Sequence, residues 1–157
     1  MEDSTMKIAV GADHAGFEIK QVVVDELQRL GHEVLDVGVH QGEHSDFPDY
    51  AELAGRALQR GEAERGVLVC GSGVGMCITA NKMRGVRASV THDVYSAHQG
   101  VEHDDMNVMC LGGKIIGESL ARELVAAFAA ASFQQDERFK RRVGKINRIE
   151  AMEMGGE

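Results

Sequence analysis

Cys70-Gly71-Ser72-Gly73-Val74-Gly75 is the stretch of the chain best equipped for chemistry. A cysteine closes the short β-branched run Val67-Leu68-Val69 and is followed by three alternating glycines. The apolar run reads as a buried central strand, and a helix is expected to begin near Val74. Glycines at that spacing let backbone N–H groups close on a ligand, and a helix N-terminus favours negative charge. A thiol beside such a nest is expected to have a lowered pKa, because its thiolate is stabilised there. The stretch therefore sets a potential base or nucleophile next to a potential oxyanion hole. Taken alone it also fits a simple buried cysteine beside a tight turn. Cys77, seven residues further on, reads as a core residue.

The elements that must position this stretch follow from periodicity. Lys7 to Gly11 reads as a first strand, Ala12 to Gly16 as a turn, and Phe17 to Leu30 as a helix with Ile19, Val23, Leu27 and Leu30 on one stripe. Gly31 stops that helix. A second strand is expected over Glu33 to Val37, then a loop from Gly38 to Phe47 that includes Gly42. A helix entered at Pro48 runs to about Arg60 and is expected to bury Leu53, Ala54, Ala57 and Leu58. After the third strand and its helix come a strand over Val86 to Val90, a helix over Asp93 to Val101 and a strand over Asn107 to Leu111. A fifth helix, Gly117 to Ala131, uses Ile116, Leu120, Leu124, Phe128 and Ala131. The last helix, capped by Asp136, aligns Phe139, Val143, Ile146 and Ile149. Strict alternation of strand and helix predicts an α/β protein: a three-layer α/β/α Rossmann-like domain with a five-stranded parallel sheet and an extra C-terminal helix. The expected organisation is a single domain over 7–150 with flexible tails at 1–6 and 151–157. The stripe of the last helix must be buried on the domain or on a second subunit.

In such a sheet the loops after the strands converge at the carboxyl edge. They carry Asp13 and His14; Asp46 and Tyr50; Cys70, Ser72 and the nest; Thr91, His92 and Asp93; and Gly112, Gly113 and Lys114. His103-Asp104 lies just before the fifth strand. Arg138 and Arg142, four apart on a helix, project from one face and could hold a phosphate.

Composition narrows the classes. A net charge of −8, 4% aromatic residues and no tryptophan argue against nucleic acid and against anionic membranes. No apolar run approaches the ~20 residues of a membrane span, and the polar N-terminus is unlike a secretory signal. Three cysteines without a C-x-x-C pair point to reduced thiols and a cytoplasmic location. His40, His44 and Asp46 have a spacing that could bind a metal, but in a glycine-bearing loop without a fixed helix the signal is weak. The glycines follow the third strand instead of opening the first βαβ unit, which disfavours a dinucleotide site.

Taken together, Asp13-His14-Ala15-Gly16, Ser45-Asp46-Phe47-Pro48-Asp49-Tyr50-Ala51, Cys70-Gly71-Ser72-Gly73-Val74-Gly75 through Ala80-Asn81-Lys82, and His103-Asp104-Asp105-Met106-Asn107-Val108 resemble the ribose-5-phosphate isomerase B family. The resemblance runs from Lys7 to about Glu150. It implies aldose–ketose isomerisation of a sugar phosphate without metal or cofactor, with ribose 5-phosphate and ribulose 5-phosphate as the leading pair. By the same resemblance Cys70 is the base that moves a proton between C1 and C2 through a cis-enediolate. Ser72 and the amides of Gly71, Gly73 and Gly75 form the anion hole, and His103 assists ring opening. His14, Arg138 and Arg142 bind phosphate, while Asp13 and Tyr50 line the sugar site. Further implications are a strand order of 2-1-3-5-4 and a homodimer, or a tetramer of such dimers, whose subunits share their sites. Two residues depart from the family pattern. Asp104 stands where many members have Asn, and Lys114 where many have Arg, so a donor is lost and a fork becomes a point charge. Isomerases of allose 6-phosphate, galactose 6-phosphate or a four-carbon sugar phosphate are the alternatives, with a non-catalytic sugar-phosphate or nucleotide sensor as the rival from another class.

Overall fold

Strands and helices alternate from Lys7 to Ala130, and every strand pairs in parallel with its neighbours. The computed structural model describes residues 5–41 and 43–155. Gly42 and residues 1–4 and 156–157 of the two expected tails lie outside the described residues. The elements are β1 (Lys7–Ala12), a 3₁₀ turn (His14–Gly16), α1 (Phe17–Arg29), β2 (Glu33–Gly38), α2 (Phe47–Gln59), β3 (Arg65–Cys70) and α3 (Val74–Ala80). They continue with β4 (Ala88–Val90), α4 (Val94–Asp104), β5 (Val108–Gly112), α5 (Glu118–Ala130) and α6 (Glu137–Glu153). The sheet order is β2-β1-β3-β5-β4, so the three-layer α/β/α domain with an extra C-terminal helix is as expected. Helix α6 runs to Glu153, past the expected boundary at 150.

Side chains in a strand alternate between faces, and this splits the core in two. Val67, Val69, Met109 and Leu111 point to the layer of α1, α4 and α5. Leu68, Cys70, Val108 and Cys110 point to the layer of α2 and α3. Both ends of β3 are thereby fixed, and Cys70 is aimed at α3. Arg122 of α5 ties down α1 by donating to Asp25 at 2.8 Å and Glu26 at 2.9 Å. The short edge strand β4 is closed by α3: Asn81 Oδ1 accepts the Ala88 N–H and Asn81 Nδ2 donates to the Ala88 carbonyl, each at 2.8 Å.

Two expectations about burial need correction. Leu53 is 50% exposed. Helix α2 packs through Ala51, Ala54, Gly55 and Ala57, small residues that bring it close to the sheet and leave Leu53 outside. On α6, Phe139 and Val143 are buried but Ile146 and Ile149 are 45% and 57% exposed. The helix leans on the domain with its first turns and leaves the rest of its stripe open.

Gly16 marks where α1 meets β3, since a Cβ there would stand 2.4 Å from the Val69 carbonyl oxygen. Gly16→Ala is expected to cost about 3 kcal/mol, because the obstacle is backbone and cannot swing aside. Gly117, where a Cβ would meet nothing within 4 Å, should accept alanine within about 0.5 kcal/mol. Urea unfolding of both variants checks the pair.

Candidate functional site

The carboxyl edge is built around the β3–α3 turn. Cys70 Sγ accepts the N–H of Gly73 at 3.1 Å, so a backbone dipole points at the sulfur. Gly73 has φ +83 and sits against the backbone of Leu111, a place that admits only glycine without strain. Ser72 Oγ accepts the Val74 N–H at 3.2 Å. The neighbouring loop is laced to this one: Gly113 N–H donates to the Cys70 carbonyl at 2.7 Å and Lys114 N–H to that of Gly71 at 3.0 Å. The Lys114 side chain then passes over Gly71, its Cδ 3.6 Å from where a Cβ would be. Gly75 faces the Phe47 ring, which would meet a Cβ there at 2.6 Å.

The first loop joins the same edge. Asp13 is buried, and its Oδ1 accepts the N–H groups of Ala15 and Gly16 at 3.0 and 3.1 Å. It thus caps the 3₁₀ turn that presents His14. His14 is held by a reciprocal pair with Ser45: its N–H donates to Ser45 Oγ at 3.1 Å, and its Nδ1 accepts the Ser45 N–H at 3.2 Å. An Nδ1 that accepts leaves the ring proton on Nε2. The His44 ring lies 4.4 Å away. The loop between β2 and α2 is itself anchored by buried Lys20, whose Nζ reaches both oxygens of Asp36 at 2.8 Å, while Asp36 Oδ1 accepts the Gly38 N–H at 2.9 Å. Tyr50, half-buried, packs beside Gly38.

His103, Asp104, Arg138 and Arg142 are not part of this cluster. Helix α4 leaves the carboxyl edge after β4 and ends at Asp104, just before β5 starts. Its 11 residues carry the chain about 16 Å along the helix axis, so His103 and Asp104 sit at the amino edge of the sheet. Gln134 N–H donates to the Glu102 carbonyl at 2.9 Å, which brings the start of α6 to the same place. There His103 stacks on Phe139 with ring centres 4.1 Å apart, and its Nδ1 meets Gln99 Nε2 at 3.0 Å. Arg138 is engaged by its own helix cap, donating to Asp136 through Nε and Nη2 at 3.1 and 3.0 Å. That contact holds the Asp136 carboxyl down at about 2. Arg142 is exposed one turn further on. Beside these residues a cavity of about 550 Å³ opens between β4, α4 and α6, and Asp104, Ile146 and Ile149 line it.

Three residues without an expected site role belong to the geometry. Ser45 fixes the ring of His14. His92 Nε2 accepts the Gly112 N–H at 2.9 Å and so supports the β5 turn; its position directly after β4 is the signal that marks it. Cys77, expected in the core, is half-buried and packs against the cluster beneath α2 and α3. Among the described residues no group of three or more acidic, histidine or cysteine side chains is arranged to hold a metal ion, and no helix is long and apolar enough to cross a membrane.

A thiol under a backbone dipole, a glycine nest and a histidine of fixed tautomer, all at the carboxyl edge of an open parallel sheet, are the parts of an enzyme that handles a small anion. The chain belongs to the Ribose/Galactose Isomerase family, whose pattern matches residues 8–146. It is 41% identical over 144 residues to ribose-5-phosphate isomerase B of Escherichia coli, covering 92% of this chain and 96% of that one. D-erythrulose-4-phosphate isomerase of Pectobacterium atrosepticum is 40% identical over 130 residues, covering 82% of this chain and 86% of its own. The structure of Clostridium thermocellum ribose-5-phosphate isomerase B superposes with a TM-score of 0.90 at 41% identity, over 94% of this chain and 99% of that one. This chain is an aldose–ketose isomerase that acts on a sugar phosphate, which sets aside the non-catalytic sensor.

His92 makes the edge sensitive to acid. Burial pushes its pKa down, and a protonated Nε2 could not accept from Gly112. The unfolded chain takes up a proton near the ordinary histidine pKa of about 6.5 and the folded chain only below it, so stability falls as pH drops through that range. Stability measured by urea unfolding should be level above about pH 7 and decline towards about pH 5. His92→Gln should show a shallower slope, and an unchanged slope would remove His92 as the cause.

Proposed function

We propose that the enzyme interconverts D-ribose 5-phosphate and D-ribulose 5-phosphate, with Cys70 as the base. The carrying observation is the Gly73 N–H directed at Cys70 Sγ inside the glycine turn. In this reading the thiolate takes the proton from C2 of the open aldose and returns it to C1. The cis-enediolate formed between the two steps bears its charge towards Ser72 and the amides of Gly71, Gly73 and Gly75. The hydrogen is weakly acidic, so the developing oxyanion needs donors already in place; one such donor contributes roughly 10²–10³ in rate and a positioned base ~10²–10⁴. Asp13 and Tyr50 line the sugar, and the Nε2–H of His14 is the donor left to meet the phosphate.

The remaining roles call for a second copy of the chain. His103 for ring opening, and Arg138 and Arg142 for phosphate, stand at the edge away from Cys70, so one chain carries two half-sites. A homodimer that sets the amino-edge residues of one subunit against the carboxyl edge of the other completes both. The open stripe of Ile146 and Ile149 supports that association, and a tetramer would be a pair of such dimers. No cofactor, nucleic acid or membrane enters the mechanism, and the expected location is the cytoplasm.

Asp104 favours a second substrate reading. A carboxylate there cannot donate as Asn does and repels a nearby anion, and the similarity to a D-erythrulose-4-phosphate isomerase reaches 40%. That reading keeps the reaction and shortens the sugar.

Ketose formation from ribose 5-phosphate, without added metal, tests the first reading. Cys70→Ala should lose about 10³-fold in kcat while remaining folded. Turnover of erythrulose 4-phosphate in its place selects the second. Ser45→Ala should raise KM about five-fold and leave kcat near wild type, because it removes the Oγ that accepts the His14 backbone N–H, one hydrogen bond of about 1 kcal/mol that positions the His14 turn. The shared site is tested by mixing inactive Cys70→Ala and Arg142→Ala subunits. Recovery of activity on exchange is expected, since one site of each mixed dimer is then intact; continued inactivity after proven exchange would place the whole site in one chain.

A further inference from the structure

The loop between β2 and α2 carries two histidines to which the isomerase reaction has given no role, and the structure directs them to different neighbours. His40 turns to the end of β2, its Nδ1 3.9 Å from Asp36 Oδ1. His44 turns to the first loop, where its ring lies against that of His14 with centres 4.4 Å apart and planes inclined by 38°. Among the described residues they belong to no group arranged to hold a metal ion. We propose that His44 is a second phosphate ligand beside His14, so that the phosphate of the substrate is met by a pair of imidazoles. The inference rests on the reading that His14 meets the phosphate.

The state of the His14 ring selects the ligand. Its Nδ1 accepts the Ser45 N–H at 3.2 Å, and its Nε2 carries the proton. Neither nitrogen has a lone pair to spare, so the ring seeks an acceptor and turns away a metal cation. The placement of His44 follows from the same contact. It directly precedes Ser45, whose Oγ accepts the His14 N–H at 3.1 Å, so the two hydrogen bonds between His14 and Ser45 hold the roots of both rings together. An imidazole N–H lies in the plane of its ring, so a ring-on-ring contact leaves the polar edges of both rings open. His44 is exposed, and among the described residues no hydrogen bond or ion pair occupies either of its nitrogens. The fitting occupant has several acceptor oxygens that can each take a hydrogen bond of about 2.8 Å, so that one group spans donors on adjacent rings. A phosphate does this and keeps its remaining oxygens open to the arginines of a second subunit. His44 acts at the phosphate end, so the inference does not depend on the length of the sugar.

The test measures inhibition by inorganic phosphate in the isomerase assay of the native assembly, with whichever sugar phosphate is turned over. His44→Phe keeps a ring against His14 and removes both nitrogens; the side chain is exposed, so the substitution leaves the core alone. It should raise the inhibition constant of phosphate and the KM of the sugar phosphate together, each about ten-fold, with kcat within about two-fold of the wild type. A His44→Phe enzyme that matches the wild type would show that the ring only packs, and overturns the proposal. So does a fall in kcat with phosphate inhibition unchanged. His14→Ala, measured alongside, separates this inference from the reading beneath it. Weaker phosphate inhibition in His14→Ala but not in His44→Phe removes His44 alone. Unchanged inhibition in both variants places the phosphate away from the first loop and removes both.

Discussion

A parallel sheet with crossover helices has two unequal edges, and the whole arrangement rests on that inequality. Every strand delivers its last residue to the carboxyl edge, and every returning helix delivers its last residue to the other. Cys70, Asp13-His14 and Gly112-Gly113 end strands, so they meet without further instruction. His103-Asp104 ends a helix, so it cannot join them in the same chain however well suited its chemistry. The sharing of a site between subunits then becomes a matter of topology before it is one of interface contacts.

Within the carboxyl edge, precision comes from backbone pairs more than from side chains. The Cys70 carbonyl is taken by Gly113, the Gly71 carbonyl by Lys114 and the Cys70 sulfur by Gly73. The first two lock a loop to its neighbour and the third tightens the β3–α3 turn itself, and the loops leave little room for a side chain to be misplaced. The first loop is built differently. Asp13 spends one carboxylate oxygen on the 3₁₀ turn, and Ser45 holds His14 from the far side of the cleft. Behind them Lys20, 1% exposed, and Asp36 form a charge pair that supports the Gly38 turn. A buried charge of this kind persists only when paired and hydrogen-bonded.

The amino-acid pattern told most where short-range physics decides. The apolar run before Cys70, the glycine spacing, the Asp136 cap and the alternation of strand and helix each follow from local sterics, and each stands in the structure as read. Other features depend on distant partners. Lys20, a charged residue within α1, is buried because Asp36 on another element receives it. Leu53 fits the apolar stripe of α2, yet the alanines win the contact because they allow a closer approach. The four polar residues at the amino edge were legible as chemistry but not as placement, since periodicity locates a residue on an element and says nothing of which end of the sheet that element finishes at.

The amide of Asn81, paired in both directions with Ala88, has a consequence for how copies can meet. An unpaired edge strand offers a ladder on which another strand can form. Here the rung at Ala88 is already filled by a side chain that behaves like a fragment of a sixth strand, and the Ala88 carbonyl also accepts from Cys77 Sγ at 3.5 Å. The sheet is closed on itself at that side without becoming a barrel. Growth by strand addition is blocked there, which leaves helical faces as the surfaces through which the molecule can associate.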